Sequence, residues 1–205
     1  QPDPSVLTLK RIFTDRDFRP DRFGPARWLE DGKAYTTVEP SPDIKDGQDI
    51  IRYEADSGTR SVLVAAKTLV PAGATAALAI DDYVWSGDGK KLLIFTNSQQ
   101  VWRQRTRGDY WVADLAGQGL KKLGGDAAPA TLMFAKFSPD GRRVGYVRGN
   151  NVYVEDLLTG RIRQLTSNGS PTLINGTFDW VYEEELDLRD GWRWAEIRDN
   201  ARRLH

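Results

Sequence analysis

The sequence predicts an all-β fold of short antiparallel meanders, on three observations. A turn with one grammar recurs, an acidic landmark closes each unit, and the runs between them are rich in β-branched and aromatic residues, as strands are. The turn occurs as Trp28-Leu29-Glu30-Asp31-Gly32-Lys33-Ala34-Tyr35, as Trp85-Ser86-Gly87-Asp88-Gly89-Lys90-Lys91-Leu92 and as Phe137-Ser138-Pro139-Asp140-Gly141-Arg142-Arg143-Val144. Each copy runs aromatic, three residues ending in Asp, Gly, base, then an apolar strand, and the Asp-Gly pair is a hairpin turn. The turn Asp residues 31, 88 and 140 stand 57 and 52 residues apart (88 − 31 and 140 − 88), a period that suits one β-propeller blade.

The closing landmarks are Glu54-Ala55-Asp56-Ser57-Gly58, Asp114-Leu115-Ala116-Gly117 and Asp156-Leu157-Leu158-Thr159-Gly160. Each follows an apolar run and precedes another strand, so each unit reads as a four-stranded meander. One such sheet exposes two apolar faces, and stacking blades around an axis buries them. The expected domain is therefore 1–205 as the N-terminal part of a propeller, with about three blades over 28 to about 165. A fourth blade is expected to start at Trp194, where the following residues to His205 lack the Asp-Gly turn. The open ends of such an arc predict self-association, as in a homodimer, or association with the remaining blades.

From turn Asp to closing Gly the units measure 27, 29 and 20 residues (58 − 31, 117 − 88 and 160 − 140), so the second is nine longer than the third. Its conspicuous content is Val101-Trp102-Arg103-Gln104-Arg105-Thr106-Arg107-Gly108-Asp109, read as a basic stretch between two strands. Such a stretch is either an Arg-decorated edge or loop that discourages strand pairing, or a binding element, since Trp and Arg are enriched at hot spots.

Composition narrows the function classes. With 29 basic and 29 acidic residues the formal net charge is zero, which argues against a nucleic-acid or acidic-membrane partner held by bulk charge. The lack of cysteine rules out disulfides, thiolate metal sites and cysteine nucleophiles. No apolar run approaches the roughly 18 to 20 residues that span a bilayer. Asp81-Asp82 have no His or further acids nearby and read as turn residues, so neither a metal nor a cofactor is expected. Asn168-Gly169-Ser170 and Asn175-Gly176-Thr177 match the glycosylation triplet, as many unmodified loops do. No Ser lies in a Gly-x-Ser-x-Gly elbow and the only His is His205, so a Ser-His-Asp triad cannot be assembled and no catalytic residue is expected.

The string Asp179-Trp180-Val181-Tyr182-Glu183-Glu184-Glu185-Leu186 interrupts the strand pattern. Glu185 and Arg189 stand four apart, as do Glu183 and Asp187, which is the charge spacing of a short exposed helix. On that reading the acids are a solvated face. Three adjacent glutamates nevertheless repel, while Trp180, Val181, Tyr182, Leu186 and Leu188 would hold the segment against something. A helical insertion over 179 to about 188 is therefore expected. Neighbouring helical residues point about 100° apart, so two such carboxylates converge only on a compact cation, and a primary ammonium with three donors fits.

The DWVYEEE string, with Val101-Trp102-Arg103 about eighty residues earlier, resembles the substrate-anchoring part of the dipeptidyl peptidase IV family, a branch of the prolyl oligopeptidase clan. Leu78-Ala79-Ile80-Asp81-Asp82-Tyr83-Val84-Trp85 and Leu93-Ile94-Phe95-Thr96-Asn97 resemble its bacterial members, so the likeness covers most of the chain. The string is specific; the blade repeats are not. The resemblance implies an eight-bladed propeller over an α/β-hydrolase domain, and a serine exopeptidase that releases N-terminal dipeptides with Pro or Ala second. That hydrolase domain lies outside this sequence, so the chain alone is expected to be inactive. Carried over by position, Glu184 and Glu185 would bind the substrate α-ammonium and Arg103 a backbone carbonyl oxygen, with Glu183 a neighbour and not a ligand. The implied partner is a peptide with a free N-terminus, and the implied location is periplasmic or secreted, with the signal peptide outside this chain. A stand-alone interaction module or a periplasmic sensor or assembly propeller would share the fold, but neither needs two carboxylates aimed at one ammonium.

Overall fold

Residues 27–64, 82–122 and 132–164 each fold into a four-stranded antiparallel meander. The structure, a computed structural model, describes residues 6–15, 17–18, 23–29, 32–117 and 119–195. The first meander comprises β1 (Arg27–Trp28), β2 (Ala34–Pro40), β3 (Gln48–Glu54) and β4 (Arg60–Val64). The second comprises β5 (Asp82–Trp85), β6 (Lys91–Val101), β7 (Gln104–Asp114) and β8 (Gly119–Lys122). The third comprises β9 (Leu132–Phe137), β10 (Arg143–Arg148), β11 (Asn151–Asp156) and β12 (Ile162–Gln164). These are three consecutive propeller blades, where the recurring turn places them. The expected start of a fourth blade falls mostly on 196–205, outside the described residues.

The repeated turn works by local chemistry. Gly32, Gly89 and Gly141 adopt φ of 63°, 67° and 64°, the left-handed region that a side chain disfavours. Their amides donate to Leu29 O, Ser86 O and Ser138 O at 2.9, 2.8 and 2.8 Å. In the third copy the Asp140 carboxylate accepts from Ser138 Oγ at 2.6 Å and from Arg142 N at 3.0 Å. Those two bonds hold its carboxyl below the ordinary range, the Ser138 bond contributing most. Asp88 repeats the arrangement with Ser86 and Lys90.

Blade stacking explains the core. Leu92 and Ile94 on one face of β6 join Ile50, Val64, Leu69, Ile80 and Tyr83 between the first and second blades. Leu93, on the opposite face, joins Tyr110, Val112, Leu132, Val144 and Tyr146 between the second and third. Consecutive residues of β6 are thus buried on alternate faces, which requires a sheet covered on both sides. Polar groups tie the same seams: Arg27 Nη2 meets Asp82 Oδ1 at 2.5 Å, and Gly124 N donates to the buried Glu155 Oε2 at 3.0 Å.

The extra length of the second unit is not a loop. β6 and β7 are 11 residues each and run on together as a hairpin arm, through Gln99↔Arg107, Gln100↔Arg105 and Val101↔Gln104. The basic stretch expected between two strands is therefore mostly a strand, and only Trp102 and Arg103 form the turn, Trp102 at φ 55°. Register shifts between Thr96 and Gln100 interrupt the ladder, and such bulges bend an arm. At the base of the arm, Arg107 and Gly108 pair with Met133 and Leu132, joining the second and third blades into one sheet. Gly108 permits this closeness, since a Cβ there would lie 2.5 Å from Phe95 Cε2.

Beyond β12 the chain returns across the third blade. Trp192 Nε1 donates to Phe134 O and Trp194 Nε1 to Lys136 O, both at 3.2 Å. The two indoles lie over Gly145, where a Cβ would meet Trp192 Cη2 at 2.5 Å. Gly145→Ala is accordingly expected to cost about 1 to 3 kcal/mol through overpacking, seen as a lower denaturation midpoint. An unchanged midpoint would show that the tryptophans move aside freely.

Candidate functional site

The helical insertion is α1 (Trp180–Leu186), started and stopped by its own flanks. The Asp179 carboxylate accepts from Val181 N at 3.0 Å and Tyr182 N at 3.3 Å, satisfying two of the first-turn donors. Asp187 then turns left-handed at φ 52° and Leu188 N donates back to Tyr182 O at 3.0 Å, a Schellman-like end. Phe178 N bonds Arg189 O at 2.9 Å, Thr177 bridges Asp190, and the Phe178 and Tyr182 rings stack at 4.8 Å. Residues 178–189 thus leave the blades and return at one point.

Helical spacing paired Glu185 with Arg189, and the structure differs. Because α1 ends at Leu186, Arg189 lies beyond the left-handed turn, and its side chain folds back onto Glu183 instead. Arg189 Nε and Glu183 Oε2 face each other at 3.3 Å as an ion pair without hydrogen-bond geometry. Their side chains are only 5% and 2% exposed, so each charge depends on the other. Burial lowers the Arg189 guanidinium below its ordinary value, and the carboxylates of Glu183 and Asp179 oppose that shift.

This buried pair docks α1 on the tip of the β6–β7 arm. The Arg189 guanidinium lies 3.9 Å from the Trp102 ring centroid, a cation–π contact. Gln104 N donates to Glu183 Oε1 at 3.1 Å, and Gln104 Nε2 donates to Asp187 Oδ1 at 2.6 Å. Arg103 and Glu184 are thereby brought together, with Nη2 and Oε1 2.9 Å apart. Glu185, the next helical residue, is exposed and makes no ion pair among the described residues. Of the three residues singled out in the sequence, two therefore touch and the third stands beside them. Glu183, read as a neighbour and not a ligand, is buried and braces the helix against the arm.

The Arg103–Glu184 contact is weak enough to be exchanged. Arg103 is 70% exposed and Glu184 33%, and an ion pair in that setting is worth about 0 to 1 kcal/mol. Exposed Trp102, Trp180, Val181, Tyr182, Leu186 and Leu188 surround the acids. Sequence reasoning missed Gln104 and misassigned Arg189, because a contact between an arm tip and a helix 79 residues later has no local signature. Asp81 and Asp82 are structural, accepting Ser98 N at 2.9 Å and pairing with Arg27 respectively.

Comparison with known proteins adds independent findings. A family model described as the dipeptidyl peptidase IV (DPP IV) N-terminal region matches residues 86–200. Dipeptidyl aminopeptidase B of Saccharomyces cerevisiae is 31% identical over 198 residues, 92% of this chain and 22% of its own length. Probable dipeptidyl-aminopeptidase B of Aspergillus terreus is 32% identical over 201 residues, 94% of this chain and 22% of its own. The crystal structure of Porphyromonas gingivalis dipeptidyl peptidase 4 superposes with a TM-score of 0.74 and 27% identity, over 90% of this chain and 25% of that one. The chain thus spans 22% of the length of these two curated relatives.

Proposed function

The chain belongs to the dipeptidyl peptidase IV family, matching its N-terminal region, and on that ground we propose that it is the amine-anchoring part of a serine exopeptidase releasing N-terminal dipeptides with Pro or Ala second. The observation that carries this reading is the meeting of the arm tip with α1, which sets Arg103 against Glu184 with Glu185 exposed alongside.

In the free state the Arg103 guanidinium neutralises Glu184, and Glu185 faces solvent. A substrate ammonium supplies one charge and three donors, enough to satisfy Glu184 and Glu185 together. Arg103 then swings from Glu184 to a carbonyl oxygen of the bound dipeptide, a small exchange because the original contact is exposed and weak. Fixing the amino terminus measures off two residues, presenting the second peptide bond to a nucleophile in the hydrolase domain that this reading assigns to the rest of the protein. The rest of the propeller would stack on the face of the first blade turned away from the second, where Val62 is exposed; a second copy of the chain is the other occupant of such an open face. The location belonging to this reading is periplasmic or extracellular.

The test compares Ala-Pro substrates with free and acetylated amino termini, using the full-length protein. The free amine is expected to be cleaved at least about 30-fold more efficiently, the loss that accompanies about 2 kcal/mol of charge recognition. Arg103→Ala is expected to slow the free-amine substrate too, but without selectivity for the amine. Equal cleavage of both substrates by the wild type would overturn the anchor.

A further inference from the structure

We propose that Gln104 and Asp187 are positioning residues that hold the two glutamates in register with Arg103, an inference that rests on the amine-anchor reading. Gln104 contacts α1 on both sides of the Glu184–Glu185 pair: its backbone N–H reaches Glu183, just before the pair, and its side-chain amide reaches Asp187, two residues after it. It is also the residue next to Arg103, and its own backbone is held in the Val101↔Gln104 rung of the arm. One residue therefore ties the element carrying the guanidinium to the element carrying the carboxylates.

The Asp187 end is set by backbone conformation. Its φ of 52° reverses the chain after α1 and turns the carboxylate toward the arm. The ties left in place, Glu183 with Arg189 and with the Gln104 backbone N–H, and Arg189 on Trp102, hold the helix from the side of Glu183. With the outer tie cut, α1 keeps its fold and its buried contact but gains freedom to rock about them. The two carboxylates then spend less time around one ammonium position, which weakens ground-state binding of the amine.

A purely structural bond would alter stability and the amount of active protein, whereas a positioning bond alters KM for the amine. In the full-length protein, Gln104→Ala and Asp187→Gly are each expected to raise KM for a free-amine dipeptide substrate about 3- to 10-fold, with kcat within about twofold. Gly is chosen because Ala would strain the left-handed backbone. The double variant is expected to be no worse than either single one, since both remove the same bond. Asp187→Asn keeps the Oδ1 acceptor and is expected to retain KM within about twofold of the wild type. If both Gln104→Ala and Asp187→Gly leave KM unchanged while Glu184→Gln raises it, the positioning role is wrong and the anchor stands. Additive losses, or losses confined to melting temperature and kcat, also overturn the positioning role. An unchanged KM in Glu184→Gln would mean that the anchor reading itself fails.

Discussion

Glu184→Ala and Glu185→Ala, each made in the full-length protein, are expected to lower kcat/KM on free-amine dipeptide substrates by roughly 30- to 4,000-fold. The figure follows from removing one member of a hydrogen-bonded charge pair that becomes desolvated when substrate covers it, about 2 to 5 kcal/mol at 1.4 kcal/mol per decade. In the free chain the same glutamates are solvated, and the Arg103 contact contributes about 1 kcal/mol or less, so folding should hardly change. The measurement is steady-state kinetics on free and acetylated substrates, with the loss confined to the free amine. A similar loss on both substrates would place these glutamates outside amine recognition.

The second large effect lies in the strut beneath them. Arg189→Ala leaves the Glu183 carboxylate, 2% exposed, without its cationic partner, and breaking a buried pair from one side costs about 3 to 5 kcal/mol. Because residues 178–189 leave the blades and return at one point, that cost is expected to appear as detachment of α1 and not as unfolding of the blades. Hydrogen exchange at the Gln104 amide reports it, since that N–H donates to Glu183 Oε1 at 3.1 Å. Exchange there should quicken by roughly 100- to 4,000-fold, the same free energy at 1.4 kcal/mol per decade, while amides of β10 stay protected. Replacing both charges, as in Glu183→Gln with Arg189→Met, should recover part of the loss, because no charge is then orphaned. Unaltered exchange in Arg189→Ala would show that the ion pair is dispensable for docking. The same measurement separates two kinds of impaired variant: Glu183→Ala is expected to act by loosening α1, whereas Glu184→Ala is expected to act with α1 still docked.

These two predictions concern residues that differed in legibility. The DWVYEEE string and Arg103 stood out in the sequence because unusual residues were clustered, and the short helix was legible in the four-residue spacing of its charges and the apolar residues among them, while its Asp179 cap showed only in the structure. The partner of Arg189 was not legible. Four-residue spacing pointed to Glu185, but α1 is only seven residues long, and the left-handed Asp187 carries the arginine past the helical register to Glu183. The arm was half legible: its length showed as nine surplus residues, while its continuous pairing and its bend depended on bulges that composition does not mark.

The blades themselves were written locally. An Asp-Gly turn closes on its own Ser and backbone within five residues, so Ser86-Gly87-Asp88-Gly89-Lys90 and Ser138-Pro139-Asp140-Gly141-Arg142 declare their hairpins wherever the chain goes next. From such turns, the repeat period and the β-branched and aromatic runs between them, the number and type of the meanders follow from sequence alone. Which faces press together, how the second and third blades fuse through Arg107 and Gly108, and how Gln104 reaches Asp187 across 83 positions were decided only by tertiary packing. The reason is physical: hydrogen bonds within a turn are set by neighbouring φ and side-chain length, whereas contacts between distant elements depend on stacking, bulges and bends summed over the intervening chain.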